Sequence, residues 1–258
     1  MAKLRTTANR ITEGIEMNRR RLMRWVFWVG FPVAAAASYM WPDGIWAWVL
    51  VWLVCFQLAR RTGSPIELAG AKGEERALAI LSGLPEEYTL FNQIRLPDKR
   101  SRTGFREADF MVVGPNGIFL IENKDYRGEI RGDDSAAGWE LHKIGIGGTP
   151  YTKPCRNPVP QVRVYVALLG AIFARRSIRA RITPLVSLSQ NNNLRWITSE
   201  KVKVIRLDDL TDTILGHQGK LDGEEMEQVV DLLEELSAGT FNEKSGAEGM
   251  KALLEVTP

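Results

Sequence analysis

The stretch EADFMVVGPNGIFLIENK, Glu107 to Lys124, holds two apolar runs around Gly114-Pro115-Asn116-Gly117. Ala108–Val113 and Ile118–Lys124 are rich in β-branched and aromatic residues, and a turn of this composition between two such runs is the clearest hairpin signal in the chain. With Val113 facing Ile118, position i faces position 231 − i, so Asp109 is expected opposite Glu122 and Glu107 opposite Lys124. Strand side chains alternate with period two, which places all four on one face. Directly opposed Cβ atoms lie ~4.5–5.5 Å apart, and like charges there repel. Two facing carboxylates on otherwise apolar strands therefore need a compensating partner. A divalent cation is one, since magnesium takes one or two carboxylates and keeps waters for a phosphate substrate. Lys124 adds an ammonium beside the acids, able to orient water or neutralise charge, and the set suits phosphodiester hydrolysis. The plain alternative is a surface hairpin with a Glu107–Lys124 ion pair and one protonated acid.

Working outward, Glu67–Leu81 has helical spacing, with Leu68, Ala77, Leu78 and Leu81 on one stripe, and Leu84-Pro85 ends it. Tyr88–Leu96 reads as a strand, Pro97–Gly104 as a basic loop, and Glu129–Trp139 as a short strand and turn. Gly145–Pro158 is rich in Gly and Pro and is expected to be an irregular loop. Pro160 suits the first turn of a helix through Val162–Arg175. Ile182–Ser189 and Val202–Arg206 read as strands, and Asp208–Leu215 as a short capped helix. Asp222 with Glu225 forms a capping box for a helix Asp222–Leu236, whose face is Met226, Val229, Val230, Leu233 and Leu236. The remainder is a polar tail with a weak helical turn. Such an order of elements means a mixed α/β domain.

Charge divides the 258 residues into four segments. Residues 1–24 are basic, with a net charge of +5, and residues 25–59 carry Asp43 as their single charge. Residues 60–219 have a net charge of +6 and residues 220–258 a net charge of −7. The apolar segment reads as two short spans, Trp25–Trp41 and Ile45–Ala59, joined by the turn Pro42-Asp43-Gly44. Trp25 and Trp41 bracket the first span as interface anchors do, and arginines flank both ends of the pair. The expectation is a transmembrane helical hairpin in the inner (plasma) membrane, with both termini and the rest of the chain cytoplasmic. A second apolar stretch and further arginines argue against a cleaved export signal.

Asp109 followed at a hairpin's distance by Glu122-x-Lys124 resembles the core of the PD-(D/E)xK nucleases. More narrowly, Gly70-Ala71-Lys72-Gly73-Glu74, Glu107-Ala108-Asp109, Gly117–Lys124, Gly128-Glu129-Ile130 and Asn157-Pro158-Val159-Pro160-Gln161 resemble in order and spacing the motifs of the nuclease-related domain (NERD). The resemblance covers roughly residues 67–175. It implies a nuclease-type α/β core of mixed sheet flanked by helices, in which Glu74, Asp109, Glu122, Lys124 and Gln161 converge. Asp109 and Glu122 would hold Mg2+ or Mn2+, with Glu74 near the metal. Lys124 would position the attacking water, and Gln161 would complete the site. Phe110 departs from the family pattern, which often has histidine there.

Lys99, Arg100, Arg102 and Arg106 flank the hairpin, while Arg175, Arg176 and Arg179 end the Gln161 helix; both groups suit a phosphate backbone or anionic head groups. Cys55 and Cys155 are the only cysteines, which excludes a disulfide scaffold and a Cys-x-x-Cys zinc site. His142 and His217 are isolated, and Gly216–Lys220 is too short for a P-loop, so no motor ATPase is indicated. The expected protein is a bacterial membrane-anchored nuclease cleaving nucleic acid, DNA first, with a bilayer as its second partner. A non-catalytic nucleic-acid-binding module and a membrane adaptor for protein partners are the alternatives.

Overall fold

A computed structural model describes residues 1–5, 10–41, 45–60, 65–145, 147–189 and 193–238. In chain order the elements are β1 (Lys3–Leu4), α1 (Arg10–Trp25), a π-helical turn (Val26–Gly30), α2 (Phe31–Met40), α3 (Ile45–Arg60), α4 (Pro65–Ser82), β2 (Thr89–Pro97), β3 (Phe105–Gly114), β4 (Gly117–Lys124), β5 (Glu129–Asp133), β6 (Gly138–Ile144), β7 (Pro150–Arg156), α5 (Val159–Arg175), β8 (Ile182–Leu188), β9 (Ile197–Thr198), β10 (Lys203–Arg206), α6 (Leu210–Leu215) and α7 (Gly223–Ala238). Short 3-10 turns precede β9 and α6. The chain divides into two units, residues 8–72 and residues 1–7 with 73–258.

In the smaller unit, α3 lies along α2 and the π-helical turn, so the apolar segment does fold as paired helices. Trp28, Phe31, Trp46 and Leu50 are exposed on them. Among the described residues no helix is long and apolar enough to cross a membrane. The π-helical turn divides the first apolar stretch and leaves α2 with 10 residues; α3 has 16. Sixteen residues reach only ~24 Å, against ~30 Å of hydrocarbon. The expected pair of transmembrane spans is therefore not supported. The turn Pro42-Asp43-Gly44 and the acidic tail from residue 239 lie outside the described residues.

The larger unit is built on a mixed six-stranded sheet, order β1-β2-β3-β4-β8-β10, beside a four-stranded sheet, order β7-β6-β5-β9. β2, β3 and β4 form an antiparallel meander, while β4, β8 and β10 run parallel. Phe110, Val112, Phe119 and Ile121 pack with Ala77 and Leu81 of α4 and with Leu210 and Ile214 of α6 on one face. Met111, Val113, Ile118 and Leu120 pack with Val162, Leu169 and Phe173 of α5 and with Val229 and Leu233 of α7 on the other. A sheet buried on both sides explains why its central strands are continuous apolar runs rather than alternating ones. Asp222 caps α7 by accepting from the Glu225 N–H at 2.7 Å.

Two features depart from the sequence reading. Gly145–Pro158 is not an irregular loop: its second half is β7, antiparallel to β6, with a tight turn closed by the Gly145 N–H on Thr149 O at 2.9 Å. Prolines at 150 and 154 hid it, and β7 tolerates them as the edge strand of its sheet, where one side of the backbone has no ladder to join. Residues 1–5, the start of the basic segment 1–24 and not assigned a strand from sequence, add the edge strand β1 parallel to β2; Lys3 N–H donates to Tyr88 O at 2.8 Å and Arg5 N–H to Leu90 O at 3.0 Å.

Candidate active site

The hairpin register follows the 231 − i rule from Gly114↔Gly117 to Phe110↔Ile121, and there the pairing stops. Beyond it, Asp109 accepts the backbone N–H of Asn123 at 2.8 Å. Glu122 and Lys124 instead continue beside β8, opposite Val186 and Leu188. On the other side of β3, the ladder to β2 runs Asn92↔Phe110, then Ile94↔Ala108, and omits Gln93 opposite Asp109. Gln93 has φ of 54°, a left-handed backbone unusual for a long side chain. The break reverses the pleat. Phe91 and Met111 face one core before it, and Ile94 and Ala108, of opposite parity, face the same core after it.

This reversal corrects the expectation that Glu107 faces Lys124 on one surface with the two acids. Glu107 is opposite Arg95 in β2 and pairs with its guanidinium at 3.4 Å. Lys124 Nζ donates instead to Glu122 Oε1. Glu122 is completely buried, and its Oε1 also accepts from Gln161 Nε2, while its Oε2 is a buried atom without a hydrogen-bond partner. Pro158 and Pro160 open α5, which brings Gln161 in its first turn to Glu122 and sets Tyr165 one turn later, 2.7 Å from Gln161 Nε2. Asn123 is fixed in turn by Ser187 Oγ of β8 at 2.7 Å.

Glu74 comes from α4. The helix approaches the chain after β4 so closely that a Cβ on Gly73 would lie 2.9 Å from the Asp125 Cβ. Glycine is thus needed next to Glu74, and Gln93 Nε2 reaches Glu74 Oε2 at 2.9 Å. Asp109 and Lys124 act electrostatically on both Glu74 and Glu122, and Gln161 joins this set of sequence-read residues through Glu122.

Burial and mutual repulsion dominate the electrostatics. Glu122 is pushed up to about 8, first by burial and then by the Asp109 charge, with Lys124 opposing. Glu74 is pushed up to about 7 by burial and by Asp109, against the Gln93 hydrogen bond. Burial also raises Asp109, while Lys124 and the Asn123 N–H oppose it. Lys124 is raised by Glu122 and Asp109 despite its burial and stays an ammonium. Burial and Glu122 push Tyr165 up to about 12, so its phenol stays neutral. Among the described residues the site thus gathers Glu74, Asp109 and Glu122 around the Lys124 ammonium, with Glu107 also acting on Glu74 and Asp109.

The basic residues read from sequence lie in and beside the β2–β3 turn and at or beyond the end of α5. Arg106 is held by Asp98 at 2.5 Å, and Arg176 by Glu235 at 2.7 Å. Arg175, Arg176 and Arg179 lie at or beyond the far end of α5 from Gln161, with ~21 Å of helix between Gln161 and Arg175. Lys99, Arg100 and Arg102 are exposed in the β2–β3 turn. Trp139 is a core residue whose indole donates to Asp133 O at 2.9 Å, and Trp196 lies under Arg131 and Arg195. Sequence reasoning missed Gln93 and Tyr165. Tyr165 carried a signal, standing four residues after Gln161 on the same helix face; Gln93 carried none, since its left-handed backbone is a tertiary outcome.

Residues 69–189 match the NERD family, the nuclease-related domain. That span runs from α4 through the end of β8 and contains every residue of the carboxyl cluster. No curated protein and no solved structure matches the chain. The NERD segment therefore supports a nuclease-like function for the mixed α/β unit.

Such domains generally work with a divalent metal, and the residues here fit one in a limited form. Among the described residues no three His, Cys, Asp or Glu side chains are grouped to enclose an ion. Asp109 and Glu122 nonetheless supply two carboxylates, one with an unpartnered buried oxygen, and a hard cation bound by two carboxylates and water needs no more.

Proposed function

We propose that the protein is a metal-dependent nuclease-type hydrolase that cleaves nucleic-acid phosphodiester bonds, with DNA as the first substrate to test. The observation that carries this reading is Glu122. A fully buried carboxylate, bound by Lys124 and Gln161 on one oxygen and unpartnered on the other, stands beside a second acid whose charge it feels. Burying such a group costs several kcal/mol unless something compensates, so a fold that keeps it has a use for it.

Asp109 and Glu122 would hold Mg2+ or Mn2+, which when bound polarises the phosphate and acidifies a water. Lys124, protonated at all ordinary pH, is no general base. It orients the nucleophile and stabilises charge gathering on the phosphoryl oxygens. Gln161 keeps the Glu122 carboxylate in one orientation, and Tyr165 keeps Gln161 in place. The exposed apolar surface of α2 and α3, with arginines at either end, supports a seat at the inner membrane with the nuclease-type unit on the cytoplasmic side.

A non-catalytic nucleic-acid-binding module is the second reading, favoured by the Lys124 ammonium already neutralising Glu122 Oε1. One experiment separates the two. The full chain and Glu122→Gln are titrated with manganese by calorimetry and incubated with labelled single- and double-stranded DNA. The hydrolase reading expects metal binding and cleavage that both disappear in Glu122→Gln. DNA binding without metal uptake or cleavage would leave only the binding module.

A further inference from the structure

β6 and β7 form a hairpin whose two halves differ sharply. Near its base, the face carrying Trp139 and Leu141 is buried against the core, with Cys155 opposite Trp139. Towards its tip, the same face continues as Lys143, Tyr151 and Lys153, with Lys143 directly opposite Tyr151 and Lys153 opposite Leu141. Tyr151 is 48% exposed, and Lys153 is exposed as well. Among the described residues neither lysine has a salt-bridge partner.

The base of this hairpin is tied to the carboxyl cluster. Tyr126, two residues beyond Lys124, donates its hydroxyl to Arg156 O at 2.9 Å, and the Arg156 charge is close enough to act on Glu122. From Arg156 to Tyr151 the strand runs ~17 Å outward from that point. As the outer strand of its sheet, β7 could in principle accept another strand, but Pro150 and Pro154 remove two of its N–H groups. Its face, not its edge, is what it can offer a partner.

We infer that the tip half of this face of the β6–β7 hairpin, formed by Lys143, Tyr151 and Lys153, is the track along which a single-stranded nucleic acid is led to the Asp109–Glu122 centre. The two ammonium groups fit successive backbone phosphates. Tyr151, directly opposite Lys143 and two residues from Lys153 along β7, offers a ring to an unpaired base, which a duplex, with its bases already stacked, cannot use. This inference rests on the nuclease-type reading of the site and names the substrate class for it.

The test is fluorescence anisotropy of a labelled oligothymidylate with the full chain, kept in mild detergent, at several salt concentrations. Glu122→Gln serves as background so that no cleavage intervenes. Tyr151→Ala is expected to weaken binding roughly 5- to 100-fold, as loss of one base stack does. Lys143→Gln with Lys153→Gln is expected to weaken it at least tenfold and to flatten the salt dependence by about 0.7 per lysine removed. Manganese uptake, measured without the background change, stays as in the parent for both variants. Unchanged affinity in both variants of a chain that binds the strand would overturn this surface and leave the nuclease-type reading standing. Binding of duplex alone, indifferent to Tyr151→Ala, would also overturn it. Failure of the parent to bind any nucleic acid would remove the underlying reading along with it.

Discussion

Gln93 stands opposite Asp109 in the β2–β3 register, at the one position between Asn92↔Phe110 and Ile94↔Ala108 that the ladder skips, and it adopts a φ of 54° in mid-strand. The kink has two consequences for the acids. It reverses the pleat of both strands, sending Glu107 to Arg95, and it lets the Gln93 amide reach Glu74. A left-handed non-glycine residue costs of order 1–3 kcal/mol, so the surrounding contacts must hold it there.

Replacing Gln93 separates that backbone strain from the side-chain bond. Gln93→Ala keeps the strain and loses the bond to Glu74, whereas Gln93→Gly loses both. Thermal melts should place Gln93→Gly above Gln93→Ala by about 1 kcal/mol, since glycine takes the left-handed backbone without penalty. Equal melting temperatures would show that the kink relaxes once the side chain is gone.

Glu122→Gln keeps the shape and a hydrogen-bonding oxygen for Lys124 but removes the buried charge. The metal-free variant should be at least as stable as the parent at pH about 8, and its manganese affinity should fall at least tenfold. Calorimetry and melting together check both halves. A variant that binds manganese like the parent would exclude Glu122 as a ligand.

The raised carboxyl groups make metal-free stability depend on pH with a definite sign. Glu122, pushed up to about 8, and Glu74, pushed up to about 7, keep their protons in the folded state after an unfolded chain would have lost them. Between pH about 4.5 and 8 the folded state binds more protons, so stability falls as pH rises. Melting temperature in chelator should therefore be lower at pH about 8 than at pH about 5.5. Magnesium should restore more of it at the higher pH. A profile that is flat, or that rises with pH, would contradict this charge balance.

Gly73→Ala tests how α4 delivers Glu74. A methyl group at that position meets the Asp125 Cβ at 2.9 Å, which the helix can relieve only by moving away from the chain after β4. Overpacking of this kind costs about 1–3 kcal/mol. The variant should melt lower and lose most of any hydrolytic activity, whereas Gly70→Ala, inside the same helix with no atom within 4 Å of the added group, should melt no lower than the parent and keep its activity.

Much of this protein was legible in local pattern. The β3–β4 hairpin, its 231 − i register as far as Phe110↔Ile121, the α4, α5 and α7 helices and the mixed α/β class all follow from turn residues, caps and apolar periodicity, because these act over a few neighbouring residues. Asp109, Glu122 and Lys124 were recognisable from the hairpin, and Glu74 and Gln161 joined them only through the resemblance to the nuclease-related domain. The contacts at distance were not. The Gln93 kink, the transfer of Glu107 to Arg95, the bond from Tyr165 to Gln161 and the conversion of a Pro/Gly-rich stretch into β7 each depend on segments far apart in the chain. Local sequence decided where strands and helices form. Where the pleat reverses, and hence which acids share a face, was decided only when β2, β3 and β4 met in one sheet and both of its faces were buried. Period-two alternation describes an unbroken strand, and one residue driven into left-handed backbone by its tertiary partners is enough to break it.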